Sequence, residues 1–141
     1  MISIVSELKK EHDWILDLML KLESFANDRN ELNYSVILNI TSIFDKVWKN
    51  HEIKEEKFFR NFNLSGLHFP TEKMLLDEHR ELRGHWKIVA DSVVRRNMSK
   101  IRICLDTDGR MLIDKLRKHI VIENKFFDEL VRRNSLLMNE S

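Results

Sequence analysis

The chain has 141 residues, with 24 Lys and Arg against 23 Asp and Glu for a formal net charge of +1, and its three Gly, one Pro and single Cys leave little turn vocabulary. The basic pairs Arg95-Arg96 and Arg132-Arg133 are balanced by nearby acids, which excludes the electrostatic footprint of a nucleic-acid binder. No run of about eighteen apolar residues marks a membrane span, the amino end lacks the pattern of a signal peptide, and Cys104 has no partner for an internal disulfide, so the expectation is a soluble, cytoplasmic, all-α protein forming one domain over 1–141.

Four apolar series at helical spacing follow in chain order. Val5, Leu8, His12, Ile15, Met19 and Leu22 advance by three or four and predict a helix over 2–27 with His12 on its inner stripe. Ile37, Ile40, Phe44, Val47, His51, Glu55 and Phe58 predict a second over 31–61, with two polar residues in the stripe. An interruption at 63–72 follows, in which Gly66 is a plausible stop and Pro70 lies near the next start. Leu75, His79, Leu82, Trp86, Val89 and Val93 predict a third helix over 71–97. Leu105, Asp108, Leu112, Leu116, His119, Glu123, Phe126 and Leu130 predict a fourth over 99–133, despite Gly109 in its early turns. Short connections between long amphipathic helices predict an antiparallel up-down four-helix bundle.

The string HEIKEEKFF at 51–59 returns as HIVIENKFF at 119–127, and LKKEH ending at His12 is matched by LLDEH ending at His79. Each half therefore offers one lone His and one H-x-x-x-E, whose members lie one turn apart on one helical face. A lone His on an apolar stripe is usually a core residue satisfied by one hydrogen bond. Six inward polar residues in a repeated pattern are another matter: buried carboxylates at 55 and 123 have no Lys or Arg on their own stripes, and Lys57 and Lys125 point sideways or outward. Four imidazoles and two carboxylates suit two ions of iron, manganese or zinc better than calcium or magnesium. Each ion would take one His from a lone-His helix and one from an H-x-x-x-E helix, with both glutamates and a solvent oxide or hydroxide bridging. Iron is preferred, because open carboxylate-bridged sites suit its redox and dioxygen chemistry. A hydrogen-bonded network without metal is the structural alternative.

The strings EHDWIL, HEIKEEKFF, DEHRELR and HIVIENKFF, in order and at helix-length spacing, resemble the hemerythrin-like family of HHE cation-binding four-helix bundles. The resemblance implies a non-haem di-iron centre held by His12, His51, Glu55, His79, His119 and Glu123. It departs from the oxygen-carrying branch, in which the third helix supplies H-x-x-x-H, because Arg83 stands four residues after His79. The expected function is binding or sensing of a small oxidant, oxygen, nitric oxide or peroxide, at the metal pair. The rivals are a di-iron enzyme or iron-repair protein acting by nitric oxide or peroxide reduction or by iron donation, and an oxygen carrier. His85 is expected at the surface or boundary, and His68 is discounted as interhelical. Trp14, Trp48 and Trp86 are expected in core or rim packing, the Phe58-Phe59 and Phe126-Phe127 pairs beyond the metals, and Cys104 in the core. Glu52 and Glu56 are expected to be solvated, with Glu52 a minor candidate for a supporting or alternative ligand.

Overall fold

The structure, a computed structural model, describes residues 2–27, 33–64 and 72–140, with side chains over 3–25, 33–61 and 73–133. Helix α1 spans Ile2–Asn27, α2 Tyr34–Leu64 and α3 Glu72–Val94. Helix α4, Met98–Cys104, runs through a π turn at Leu105–Gly109 into α5, Arg110–Glu140. Cys104, Leu105 and Arg110 all keep right-handed helical dihedrals, so α4, the π turn and α5 form one continuous fourth helix. Gly66, Pro70 and His68 lie outside the described residues.

The ends have local causes. Asn33 starts α2 by accepting the Val36 N–H at 3.3 Å, and Asn97 starts α4 by accepting the Lys100 N–H at 3.1 Å, each removing an orphan donor of a first turn. Helix α3 stops at Val94, earlier than the expected 97, because Arg96 turns into the left-handed region at φ 56°. Its guanidinium lies over the Tyr34 ring, whose hydroxyl donates to the Val93 carbonyl at 2.9 Å, joining the start of α2 to the end of α3.

Helix α1 packs on α2 and α5, and α3 packs on α2 and on the fourth helix, the adjacency of an up-down bundle. The inner stripes meet in two apolar layers. One gathers Ile15, Met19, Phe44, Trp48, Trp86 and Leu116. The other gathers Val5, Leu8, Phe59, Leu75, Phe126 and Phe127. A layer of polar side chains lies between them, which makes it the one part of the core that burial of apolar surface does not explain. Among the described residues no helix is long and apolar enough to cross a membrane.

Three packing expectations need correction. Trp14 is 52 % exposed: it follows His12 by two positions, about 200° round the helix, which turns it to the outer face. Asp108 leaves the inner stripe because the π turn changes the register there, so Gly109 is buried and Asp108 sits at the boundary, accepting a hydrogen bond from His85 Nδ1 at 3.1 Å. Phe58 is only half-buried, although its neighbour Phe59 is enclosed. Trp48, Trp86 and Cys104 are buried, and Lys57 and Lys125 face outward.

Candidate metal centre

Each helix of the bundle brings its polar residues to the middle layer. His12 comes from α1, His51 and Glu55 from α2, His79 from α3, and His119 and Glu123 from α5, and none is more than 2 % exposed. The structure thus brings all six sequence-derived candidates into one cluster. His51 Nε2 lies 2.5 Å from Glu55 Oε1, and His119 Nε2 lies 2.8 Å from Glu123 Oε1, the two one-turn pairs of the repeat. Across the bundle, His12 Nε2 is 3.4 Å from Glu123 Oε1 and 3.9 Å from Glu55 Oε2. His79 Nε2 is 3.6 Å from Glu55 Oε1 and 3.8 Å from Glu123 Oε2.

The two halves match closely. The His12 and His51 rings stand 4.7 Å apart at 59°, and the His79 and His119 rings repeat both values. Donor atoms of His12, His51, Glu55 and Glu123 lie mutually within 4.8 Å, and so do those of His79, His119 and Glu123. Each set could hold one metal ion, with Glu123 common to both.

What makes the cluster a candidate cation site is its unmet demand. All four Nε2 atoms, both oxygens of Glu55 and Glu123 Oε2 are buried, and even the close Nε2 to carboxylate approaches lack the geometry of a hydrogen bond. A hydrogen-bonded network would have satisfied these atoms, since a buried polar group left unpaired costs about 1–3 kcal/mol and a buried charge more. The arrangement fits divalent cations that take imidazole nitrogen and carboxylate oxygen together.

A second ring of residues, not picked out from the sequence, orients the imidazoles. Glu11 meets His51 Nδ1 at 2.8 Å, Glu78 meets His119 Nδ1 at 2.5 Å, and Asn124 Oδ1 meets His12 Nδ1 at 2.7 Å. Fixing Nδ1 as donor leaves the Nε2 lone pair aimed at the centre. Lys54 in turn holds Glu11 at 2.6 Å. The signal was present in the repeat: Glu11 and Glu78 immediately precede the two lone His, and Glu56 and Asn124 immediately follow the two inner Glu.

Glu52 corrects another expectation. It is 4 % exposed rather than solvated, because it falls on the α2–α3 seam, where its carboxylate takes an ion pair from Arg83. Arg83 also comes within 3.5 Å of Glu56 and remains half exposed, so its head turns along the seam. His85 is a boundary residue, held between Asp108 and Lys115.

Electrostatics follow from burial. Desolvation holds His79 down to about 4 and lowers His12 and His119 from 6.5, so these imidazoles stay neutral, the form that can bind a metal. Burial also works against charge on His51, but the Glu55 carboxylate beside it, with Glu11, raises it overall. Burial likewise opposes ionisation of Glu55, and the charge of His51 outweighs it and keeps Glu55 low.

These directions give a pH dependence for metal-free protein. His12, His79 and His119 bind protons less readily folded than unfolded, so their contribution is present above 6.5 and is lost as pH falls through 6.5, towards about 4 for His79. His51 acts in the opposite sense, adding stability below 6.5 that is lost as pH rises through its raised folded value. With three groups against one, chelator-treated protein should have a lower urea midpoint at about pH 5 than at about pH 7.5. A higher midpoint at the lower pH would contradict the assignment.

The unmet carboxylates give a second expectation. Replacing both by apolar residues of similar length, Glu55→Met with Glu123→Met, should stabilise metal-free protein by about 1–4 kcal/mol and abolish any stabilisation by added metal. Urea unfolding with and without ferrous iron measures both, and a double variant less stable than wild type under chelation would refute the claim that these charges are uncompensated.

The hemerythrin HHE cation-binding domain family matches residues 3–130, which takes in all four helical stripes and all six central residues. No curated protein and no solved structure matches the chain. Coverage of nearly the full length places this chain in the hemerythrin HHE cation-binding domain family.

Proposed function

We propose that His12, His51, His79 and His119, with Glu55 and Glu123 as bridging carboxylates, hold a pair of iron ions, and that the chain uses this pair to bind or sense a small oxidant: oxygen, nitric oxide or peroxide. The observation that carries the reading is the convergence of buried, unpartnered nitrogen and oxygen atoms from all four helices in two matching halves. His12 and His51 would serve one ion, His79 and His119 the other. Iron so held would supply redox chemistry and, with two imidazoles for each ion, room for a small ligand to bind.

The protein's own residues set the conditions. Glu11, Glu78 and Asn124 hold three rings at Nδ1, so that each Nε2 faces inward. The Phe59 and Phe127 layer on one side and Trp48 and Phe44 on the other exclude bulk water. That strengthens the electrostatics inside and admits a diatomic molecule more readily than a large substrate. Arg83 supplies no nitrogen lone pair to the centre; its guanidinium is engaged with Glu52 and Glu56. Helix α3 therefore contributes one imidazole where the oxygen-carrying branch has two, which favours one-way reaction with oxygen over reversible carriage.

Iron-loaded, reduced protein titrated with nitric oxide under argon should show a saturable change in visible absorption. The same protein exposed to air should oxidise and stay oxidised under vacuum. Absence of a saturable nitric oxide response would count against the oxidant-binding reading, and repeated cycles of oxygenation and release would restore the carrier.

A further inference from the structure

Three of the four central imidazoles have Nδ1 engaged, and His79 does not. Its ring is fully buried, and its Nδ1 has no hydrogen-bond partner although Glu56 Oε1 lies 3.9 Å away. Glu56 and its neighbour Glu52 line a groove of about 490 Å³ between α2 and α3, together with Trp48, Trp86 and Arg83. One oxygen each from Glu52 and Glu56 and one nitrogen of His79 lie mutually within 4.8 Å, the spacing of a third cation site. The Arg83 head now pairs with both carboxylates while its side chain stays 49 % exposed.

We propose that Glu52, Glu56 and His79 form an outer, weaker site for a divalent cation, which displaces Arg83 into solvent and from which the inner pair is filled. The loading role rests on the inner-pair reading above; the outer site itself does not. The physical need is clear from burial: the inner six are nearly inaccessible and lie between two apolar layers, so a hydrated cation reaching them must exchange water for protein oxygens in steps. Groove-lining carboxylates whose oxygens lie within 4.8 Å of a central imidazole provide such a step. Arg83 and the cation are alternatives, and in either state the buried Glu52 carboxylate faces positive charge. The neutral His79 ring has one lone pair, so it serves one site at a time: Nδ1 towards the outer carboxylates while the outer ion is held, and, once the ring proton has moved to Nδ1, Nε2 among the inner donors.

The competing account is that Glu52 and Arg83 form only a structural ion pair and that Glu56 only orients His79. The accounts separate in manganous ion titration of metal-free, full-length protein, followed by electron paramagnetic resonance of the free ion, with stopped-flow ferrous uptake alongside. Arg83→Ala should tighten a weak manganous site by about tenfold and speed ferrous uptake, whereas Glu52→Gln should remove that site and slow uptake by about tenfold with final iron content kept. Circular dichroism confirms that each variant is folded. Wild-type uptake rate and weak manganous binding in Glu52→Gln would overturn the proposal, as would weaker binding in Arg83→Ala. A weak site that survives in Glu55→Gln with Glu123→Gln and vanishes in Glu52→Gln supports an outer site independent of the inner donors. Wild-type protein with the weak site but no tight one would overturn the inner pair, and the loading role with it, while the outer site stands.

Discussion

Two carboxylates in the middle of an apolar bundle govern the rest of the structure. Glu55 and Glu123 are almost wholly removed from water, and no Lys or Arg is paired with either among the described contacts. Burying such groups opposes folding by several kcal/mol each unless positive charge accompanies them. Burial works against charge on His51, but Glu55 and Glu11 favour its charged form overall, which offsets part of that demand. Cations placed between the carboxylates and the four Nε2 atoms would relieve the rest: the layers set the geometry, and a bound metal would neutralise its charge.

The internal repeat explains how a chain of this size builds such a site economically. One unit, a lone His on one helix and H-x-x-x-E on the next, is used twice, and the second copy faces the first across the bundle. Orientation is repeated with it. The Glu before each lone His supports the ring on the neighbouring helix, Glu11 for His51 and Glu78 for His119. The residue after each inner Glu faces the lone His of the opposite half, Asn124 at His12 and Glu56 at His79. The orienting pattern breaks at this last position, where Arg83 comes within 3.5 Å of Glu56 and His79 Nδ1 has no hydrogen-bond partner.

Helix periodicity made the fold and the central cluster legible, because every residue of the cluster lies on an apolar stripe and the stripe alone says that it points inward. Residues on helix flanks were less readable. Glu52 is adjacent to a stripe and looks solvated, and only the fit of α3 against α2 makes it buried. Trp14 looks like core by composition and is exposed by angle. Asp108 fits a regular helical count and is displaced by a π turn, which depends on backbone hydrogen bonding that no residue type here announces. The orienting residues Glu11, Glu78 and Asn124 sit beside the central residues in sequence, but each acts on a ring from a different helix, a relation that appears only once the helices are packed.

The most direct test of the account is an anomalous difference map at the iron edge from crystals of iron-loaded protein. The account predicts two peaks inside the bundle, one against His12 and His51 and the other against His79 and His119, with Glu55 and Glu123 reaching both. A map with no peak there, and the four imidazoles and two carboxylates hydrogen-bonded to one another or to water, would contradict it.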